Sequence, residues 1–159
     1  MRHRLGVLNK HDLKLSDIQA VINDMGPLEG AGDFLDWLRQ RYQVVILSDT
    51  FYEFGMPLMA HLGYPTLLCH KLAIRDDHIV DYRLRQNDQK REAVKSFHAL
   101  NFKVIAAGDS YNDTSMLGEA DAGILFCPPQ NVIDEFPQFP VTTNYTELRE
   151  AFIHADKSI

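Results

Sequence analysis

Two apolar runs, Gln43-Val44-Val45-Ile46-Leu47 and Val104-Ile105-Ala106-Ala107, each stop at a small polar cluster and give way to a helical pattern. Short apolar runs bounded by turn residues read as buried strands. The segments around them alternate. Helices are predicted over 16–25, 30–40, 52–62, 90–100, 112–119 and 145–155, and strands over 43–47, 66–69, 103–107 and 122–126. Ser16 is placed to cap a helix whose Ile18, Val21, Ile22 and Met25 share one face. Arg2 to Asn9 reads as a short helix before it, and Gly26-Pro27 closes that pair. Phe34, Leu35, Trp37 and Leu38 are the candidate residues for packing the 30–40 helix onto the sheet. Residues 72–74 and 79–84 read as a hairpin around Asp76-Asp77, while Pro128-Pro129 and Pro137 to Pro140 punctuate loops. Alternating strands and helices build an α/β domain with a doubly wound parallel sheet.

Such sheets bind ligands beyond the carboxyl ends of their strands. There the 104–107 run meets Gly108-Asp109-Ser110-Tyr111-Asn112-Asp113, with two carboxylates four positions apart at the start of a helix. Hard oxygen donors facing one point suit Mg²⁺. Asn112 and Asp113 would also serve as helix caps. The 43–47 run ends in Ser48-Asp49-Thr50, which offers hydroxyls and a turn's backbone N–H groups to an anion. Lys90 lies between the two clusters, at the start of a helix that brings an ammonium toward the same end of the sheet, with Arg91 as its nearest alternative. A hydroxyl, a lysine and paired carboxylates at strand and helix ends make a phosphate site.

The order Val44-Val45-Ile46-Leu47-Ser48, then Lys90, then Gly108 to Asp113 resembles motifs II, III and IV of the haloacid dehalogenase superfamily, in its phosphoserine phosphatase branch. Ser48 to Phe54, Thr66 to Lys71 and Ile133 to Pro140 are similar to a bifunctional bacterial subgroup. Its members act as phosphoserine phosphatase and as phosphoserine:homoserine phosphotransferase. The resemblance implies a Rossmann-like core over 27–159 and a remnant of a helical cap over 1–26. It implies Mg²⁺ on Asp109, and Asp113 orienting Asp109, a metal-bound water or Lys90. Lys90 and Ser48 then hold the phosphoryl group, and Asn112 touches the phosphate or its metal water. Asp49 falls among the substrate-binding residues, and Arg4 matches the cap arginine that binds the substrate carboxylate, as a guanidinium fork suits. Where the family often has Gly-Gly after the motif II serine, this chain has Asp49-Thr50.

One motif is absent. The superfamily's Asp-x-Asp-x-Thr/Val, which supplies the nucleophilic carboxylate and the general acid, occurs nowhere in the sequence. Asp33-Phe34-Leu35-Asp36 has the wrong spacing, and Asp76-Asp77 sits in a turn. The expectation is a chain shortened at its N-terminus, lacking the central motif I strand and inactive alone. The strands ending at Ser48 and at Ala107 are then expected either to leave a strand-wide gap or to pair directly. For the complete protein, the resemblance implies attack by an aspartate on phosphoserine and release of the aspartyl phosphate to water or homoserine, in serine biosynthesis.

Composition narrows the alternatives. At 159 residues, 45% hydrophobic and 24% charged, the chain is an ordinary globular domain in size and make-up. A net charge of −6 argues against nucleic acid or an anionic membrane as partner. No signal peptide or twenty-residue apolar segment is visible, which makes the cytoplasm the expected compartment; a homodimer is compatible with all of this. Cys69 and Cys127 read as buried, reduced thiols, and the seven histidines show no ligand spacing. Two other classes compete with an enzyme: a nonenzymatic paralogue that binds a phosphorylated ligand or partner, and a phospho-accepting receiver domain built on Asp49. The receiver reading lacks the acidic pair and the late lysine such domains need.

Overall fold

The computed structural model describes residues 13–159, and the chain divides after Asn87 into two compact units. The helix expected over Arg2 to Asn9, and Arg4 with it, lie outside the described residues.

The first unit contains α1 (Leu15–Asn23), α2 (Ala31–Arg39), β1 (Val45–Phe51), α3 (Tyr52–His61), β2 (Thr66–Arg75) and β3 (His78–Arg83). Its sheet has the order β1-β2-β3, with β1 parallel and β3 antiparallel to β2. A parallel pair requires a crossover, and α3 provides it. Gly55 lets α3 approach closely, since a Cβ there would stand 2.9 Å from a Leu67 methyl. Met59 of α3 packs with Leu67 and Cys69 of β2, while Phe51, Leu72 and Ile79 form a second cluster that takes in Leu15 and Ile18 from α1. In α2 the buried residues are Phe34, Leu35 and Leu38; Trp37 is only half-buried and stacks on Phe34.

Two expectations change here. The strands predicted over 66–69 and 72–74 are one continuous strand, folded back at Asp76-Asp77, where φ values of 49° and 64° make the double left-handed conformation of a tight hairpin turn. Asp77 then accepts hydrogen bonds from the Ser16 hydroxyl at 2.5 Å and the Ser16 N–H at 3.2 Å, tying α1 to the hairpin. Secondly, β1 does not stop at Leu47. Leu47 pairs with Leu68 and Phe51 with His70, so β1 takes four steps where β2 takes two. Ser48, Asp49 and Thr50 form a bulge inside the strand rather than a turn after it.

The second unit contains α4 (Gln89–Ala99), β4 (Ile105–Gly108), α5 (Tyr111–Glu119), β5 (Ala122–Phe126), α6 (Gln130–Glu135), β6 (Val141–Thr142) and α7 (Tyr145–Asp156). Its sheet, β4-β5-β6, is parallel throughout. Leu117 of α5, Ile124 and Leu125 of β5 and Val132 of α6 are almost wholly buried. Gly123 permits this, because a Cβ there would lie 2.5 Å from the Leu117 carbonyl oxygen. The stretch between Pro128 and Pro140, expected as loop, holds α6 and leads into β6. The Leu125 N–H donates to the Pro140 carbonyl at 2.9 Å, a bond in which proline is only an acceptor and loses nothing. Cys127 is exposed rather than buried, because the chain leaves β5 there in a left-handed conformation at φ 50°.

Among the described residues β1 pairs with β2 within the first unit, and β4 pairs with β5 within the second.

Candidate functional site

In the second unit, β4 ends at Gly108 and α5 starts three residues later, so Asp109 and Ser110 occupy the strand-to-helix turn. Asp113, in the first turn of α5, folds back beneath that turn. One carboxylate oxygen accepts from the Asp109 N–H at 3.0 Å, the Ser110 N–H at 3.1 Å and the Ser110 hydroxyl at 3.1 Å. The other accepts from Lys90 Nζ at 2.8 Å. Both partners of this ion pair are buried. Gly108 is required for it, since a Cβ there would sit 2.4 Å from Asp113 Cβ.

The two carboxylates therefore differ in kind. Burial alone would push the Asp113 carboxyl up, but the Lys90 ammonium and the two backbone N–H donors outweigh it and hold Asp113 below its ordinary range. Asp109 goes the other way: burial and then the neighbouring Asp113 raise it. Asp113 is a charged internal brace, whereas Asp109 stands exposed at the turn and gains from a cation nearby. Asn112 is exposed on the first turn of α5.

Lys90 is set by the start of α4. Asp88 takes a left-handed conformation, φ 46° and ψ 46°, immediately before the helix, and its carboxylate accepts from the Ser115 hydroxyl at 2.7 Å. Arg91, the alternative phosphate-binding cation, turns away and pairs with Glu119 at 2.7 Å. That pairing leaves Lys90 as the cation beside Asp113.

In the first unit the bulge orders Ser48: its hydroxyl accepts from the Thr50 N–H at 3.3 Å. Asp49 is exposed, and its Oδ1 lies 4.0 Å from Nε2 of His70, a buried residue on β2. Sequence reasoning gave His70 no role. Its position in Cys69-His70-Lys71, inside a segment that carries the family resemblance, was the available signal.

Among the described residues no group of three or more His, Cys, Asp or Glu side chains could hold a metal ion. A hard divalent ion such as Mg²⁺ fits Asp109 as a single carboxylate ligand, because Mg²⁺ keeps several waters and needs only one or two carboxylates from a protein.

The sequence pattern of haloacid dehalogenase-like hydrolases matches residues 12–118. The chain is 62% identical over 156 residues to a phosphoserine phosphatase of Pseudomonas syringae pv. tomato, covering 98% of this chain and 66% of that protein. It is also 62% identical to the phosphoserine phosphatase ThrH of Pseudomonas aeruginosa, covering 98% of this chain and 76% of that one. The chain thus spans about two thirds to three quarters of the curated relatives it matches. Among solved structures, a phospho-aspartyl intermediate analogue of phosphoserine phosphatase aligns with TM-score 0.73 at 21% identity, over 87% of this chain and 70% of that one. A substrate-bound phosphoserine phosphatase complex aligns with TM-score 0.73 at 22% identity, over 89% and 70%. Fold, strand-end carboxylates and sequence pattern agree: this chain belongs to the haloacid dehalogenase-like hydrolase family.

Proposed function

We propose that this chain carries the phosphate-binding machinery of a Mg²⁺-dependent phosphoserine phosphatase. The observation that carries the reading is the buried Lys90–Asp113 pair at 2.8 Å, braced against the backbone of Asp109. A buried lysine fixed by a carboxylate is a preorganised cation, and an ammonium has three donors, so binding Asp113 does not preclude a phosphoryl oxygen. The 62% identity to proteins named phosphoserine phosphatase supports the choice of substrate.

Each residue then has a task. Lys90 neutralises charge on the phosphoryl oxygens, Asp113 fixes Lys90 and the Asp109 turn, and Ser48 and Asn112 offer polar groups to the phosphate. Asp109 would hold Mg²⁺, which supplies further charge neutralisation when bound. Asp49 and Arg4 are assigned to the remainder of the substrate. Residues 1–26 belong to this reading as cap and 27–159 as core, as do homoserine as alternative acceptor, a homodimer and a cytoplasmic place in serine biosynthesis. By the family resemblance the covalent step starts from a carboxylate nucleophile, and the motif that provides it is absent from residues 1–159. That absence favours a second reading for the chain by itself: it binds a phosphorylated ligand without turnover.

Titration with phosphoserine in the presence and absence of Mg²⁺, together with assay of released phosphate, tests both. Saturable binding strengthened by Mg²⁺ is expected, without turnover, and Asp109→Asn should abolish the Mg²⁺ effect. Binding indifferent to Mg²⁺ or to this substitution removes Asp109 from the metal role. Turnover by the 159-residue chain at ordinary enzymatic rates would mean that a nucleophile lies elsewhere within it.

A further inference from the structure

Tyr111 stands between Asp109 and Asn112 in the sequence, opens α5 and is 43% exposed. A large aromatic side chain so open to water contributes little to the core. Its side chain reaches α6 instead. The Tyr111 hydroxyl donates to the Glu135 carboxylate, and its ring meets the Phe136 ring in a T-shaped arrangement with centroids 5.7 Å apart. The Tyr111 carbonyl accepts from the Thr114 hydroxyl at 2.9 Å, within α5. A phenol donating to a carboxylate makes a charge-assisted hydrogen bond, directional as well as attractive.

The far side of this link is firmly held. Glu135 closes α6, whose Val132 is fully buried in the core of the second unit. The Phe136 N–H donates to the Val132 carbonyl at 3.0 Å, and the Phe136 carbonyl accepts from the Phe139 N–H at 3.2 Å. The Phe136 and Phe139 rings stack at 6.3 Å, and the next residue, Pro140, receives the Leu125 N–H of β5. Glu135 is thereby tied to the sheet through Val132 on one side and Pro140 on the other.

The near side is the strand-to-helix turn. Asp113 fixes it from within, at the N–H groups of Asp109 and Ser110. Tyr111 adds a second tie one residue further on, from α6 rather than from α5. An exposed ligand on a turn holds its geometry only if the residues beside it are fixed, and metal sites lose affinity when such outer supports are removed.

We propose that the Tyr111–Glu135 link is a positioning device that fixes the first turn of α5 against α6, so that Asp109 is presented to a divalent cation in one arrangement. This rests on the reading of Asp109 as the Mg²⁺ ligand, and adds two residues that act through the turn rather than on the ion.

The test titrates the 159-residue chain with Mg²⁺, followed through the ¹H–¹⁵N signals of the Asp109, Ser110 and Asn112 amides, with urea midpoints measured alongside. A tie can change affinity by no more than its own contribution, and an exposed charge-assisted bond sets that at about threefold to fivefold. Tyr111→Phe, which keeps the ring on Phe136, should weaken Mg²⁺ binding by that factor, and Glu135→Ala should match it. Both positions are exposed, so neither change opens a cavity. Glu135→Gln keeps an acceptor oxygen and should retain most of the affinity. Combining Tyr111→Phe with Glu135→Ala should cost no more than either change alone, since the two residues act as one unit. A loss in Glu135→Gln as large as in Glu135→Ala would mean that the carboxylate attracts the ion through its charge, which overturns the proposal. Lower urea midpoints with unchanged Mg²⁺ affinity would assign the pair to stability alone and overturn it as well. If Mg²⁺ binds the parent and Tyr111→Phe equally, the positioning role fails and Asp109 keeps the metal. If Mg²⁺ leaves the three amides of the parent unmoved, the metal reading of Asp109 fails and the proposal with it.

Discussion

Lys90 and Asp113 show how much one buried pair settles at a single site. Removing a partner from such a pair leaves an uncompensated charge, which commonly costs about 3–5 kcal/mol. Asp113 retains the Asp109 and Ser110 donors, so Lys90→Met should fall at the lower end of that range, about 3 kcal/mol, in chemical denaturation at neutral pH. Adding Asp113→Asn to Lys90→Met should recover part of the loss, because the buried charge is then gone. A cost under about 1 kcal/mol for Lys90→Met would mean that the pair is relaxed by water and is not a fixed cation. Asp113 was legible in the sequence for a local reason, since a strand, a glycine and two carboxylates four apart can meet in only a few ways, whereas Lys90 was singled out through the family resemblance. Asp49 and His70 were not legible as a pair, since only the register between β1 and β2 brings them within 4.0 Å.

Among the elements, Asp121 ties three pieces of the second unit together at the start of β5. Its carboxylate accepts from the Val104 N–H at 2.8 Å, meets His98 at the end of α4 at 2.9 Å, and pairs with Lys103 at 3.1 Å. The backbone donor first, then Lys103 and His98, hold the carboxyl at about 2 against an ordinary 3.8. A carboxyl lowered in the folded state stabilises above its unfolded pKa and loses that contribution as pH falls through the folded value. Asp121→Asn should therefore cost about 1 kcal/mol at neutral pH, allowing for solvent screening. The difference between variant and parent should shrink between about pH 4 and pH 2. Urea midpoints measured across that window check it, and a pH-independent difference would assign the loss to packing instead. Helices and strands such as α4, β4 and α5 were legible because their periodicity is local. The bulge in β1 was not, because a bulge exists only relative to a partner strand, and β6 escaped because two residues carry no periodicity.

At the scale of the molecule, each unit has one strand with neighbours on both sides, β2 in the first and β5 in the second. Among the described residues β1 and β4 each pair on one side only. Backbone groups on the other side need water or another strand, and a flat open edge is a template for association. The family resemblance bears on these edges, since the strand that carries the family's nucleophile has no matching motif in the sequence. Fold class was legible despite this, because each βαβ unit is specified by its own strand–helix pattern. The state of the edges was not, because an edge is defined by what pairs with it. Hydrogen exchange on the isolated chain should therefore show the Ile124 and Leu125 amides of β5 strongly protected. The amides of β1 and β4 that do not face β2 or β5 should exchange far faster. Raising protein concentration should slow those edge amides selectively, with sedimentation velocity reporting larger species over the same range. Edge amides as protected as those of β5 in a sedimenting monomer would show that another segment of the chain already covers them.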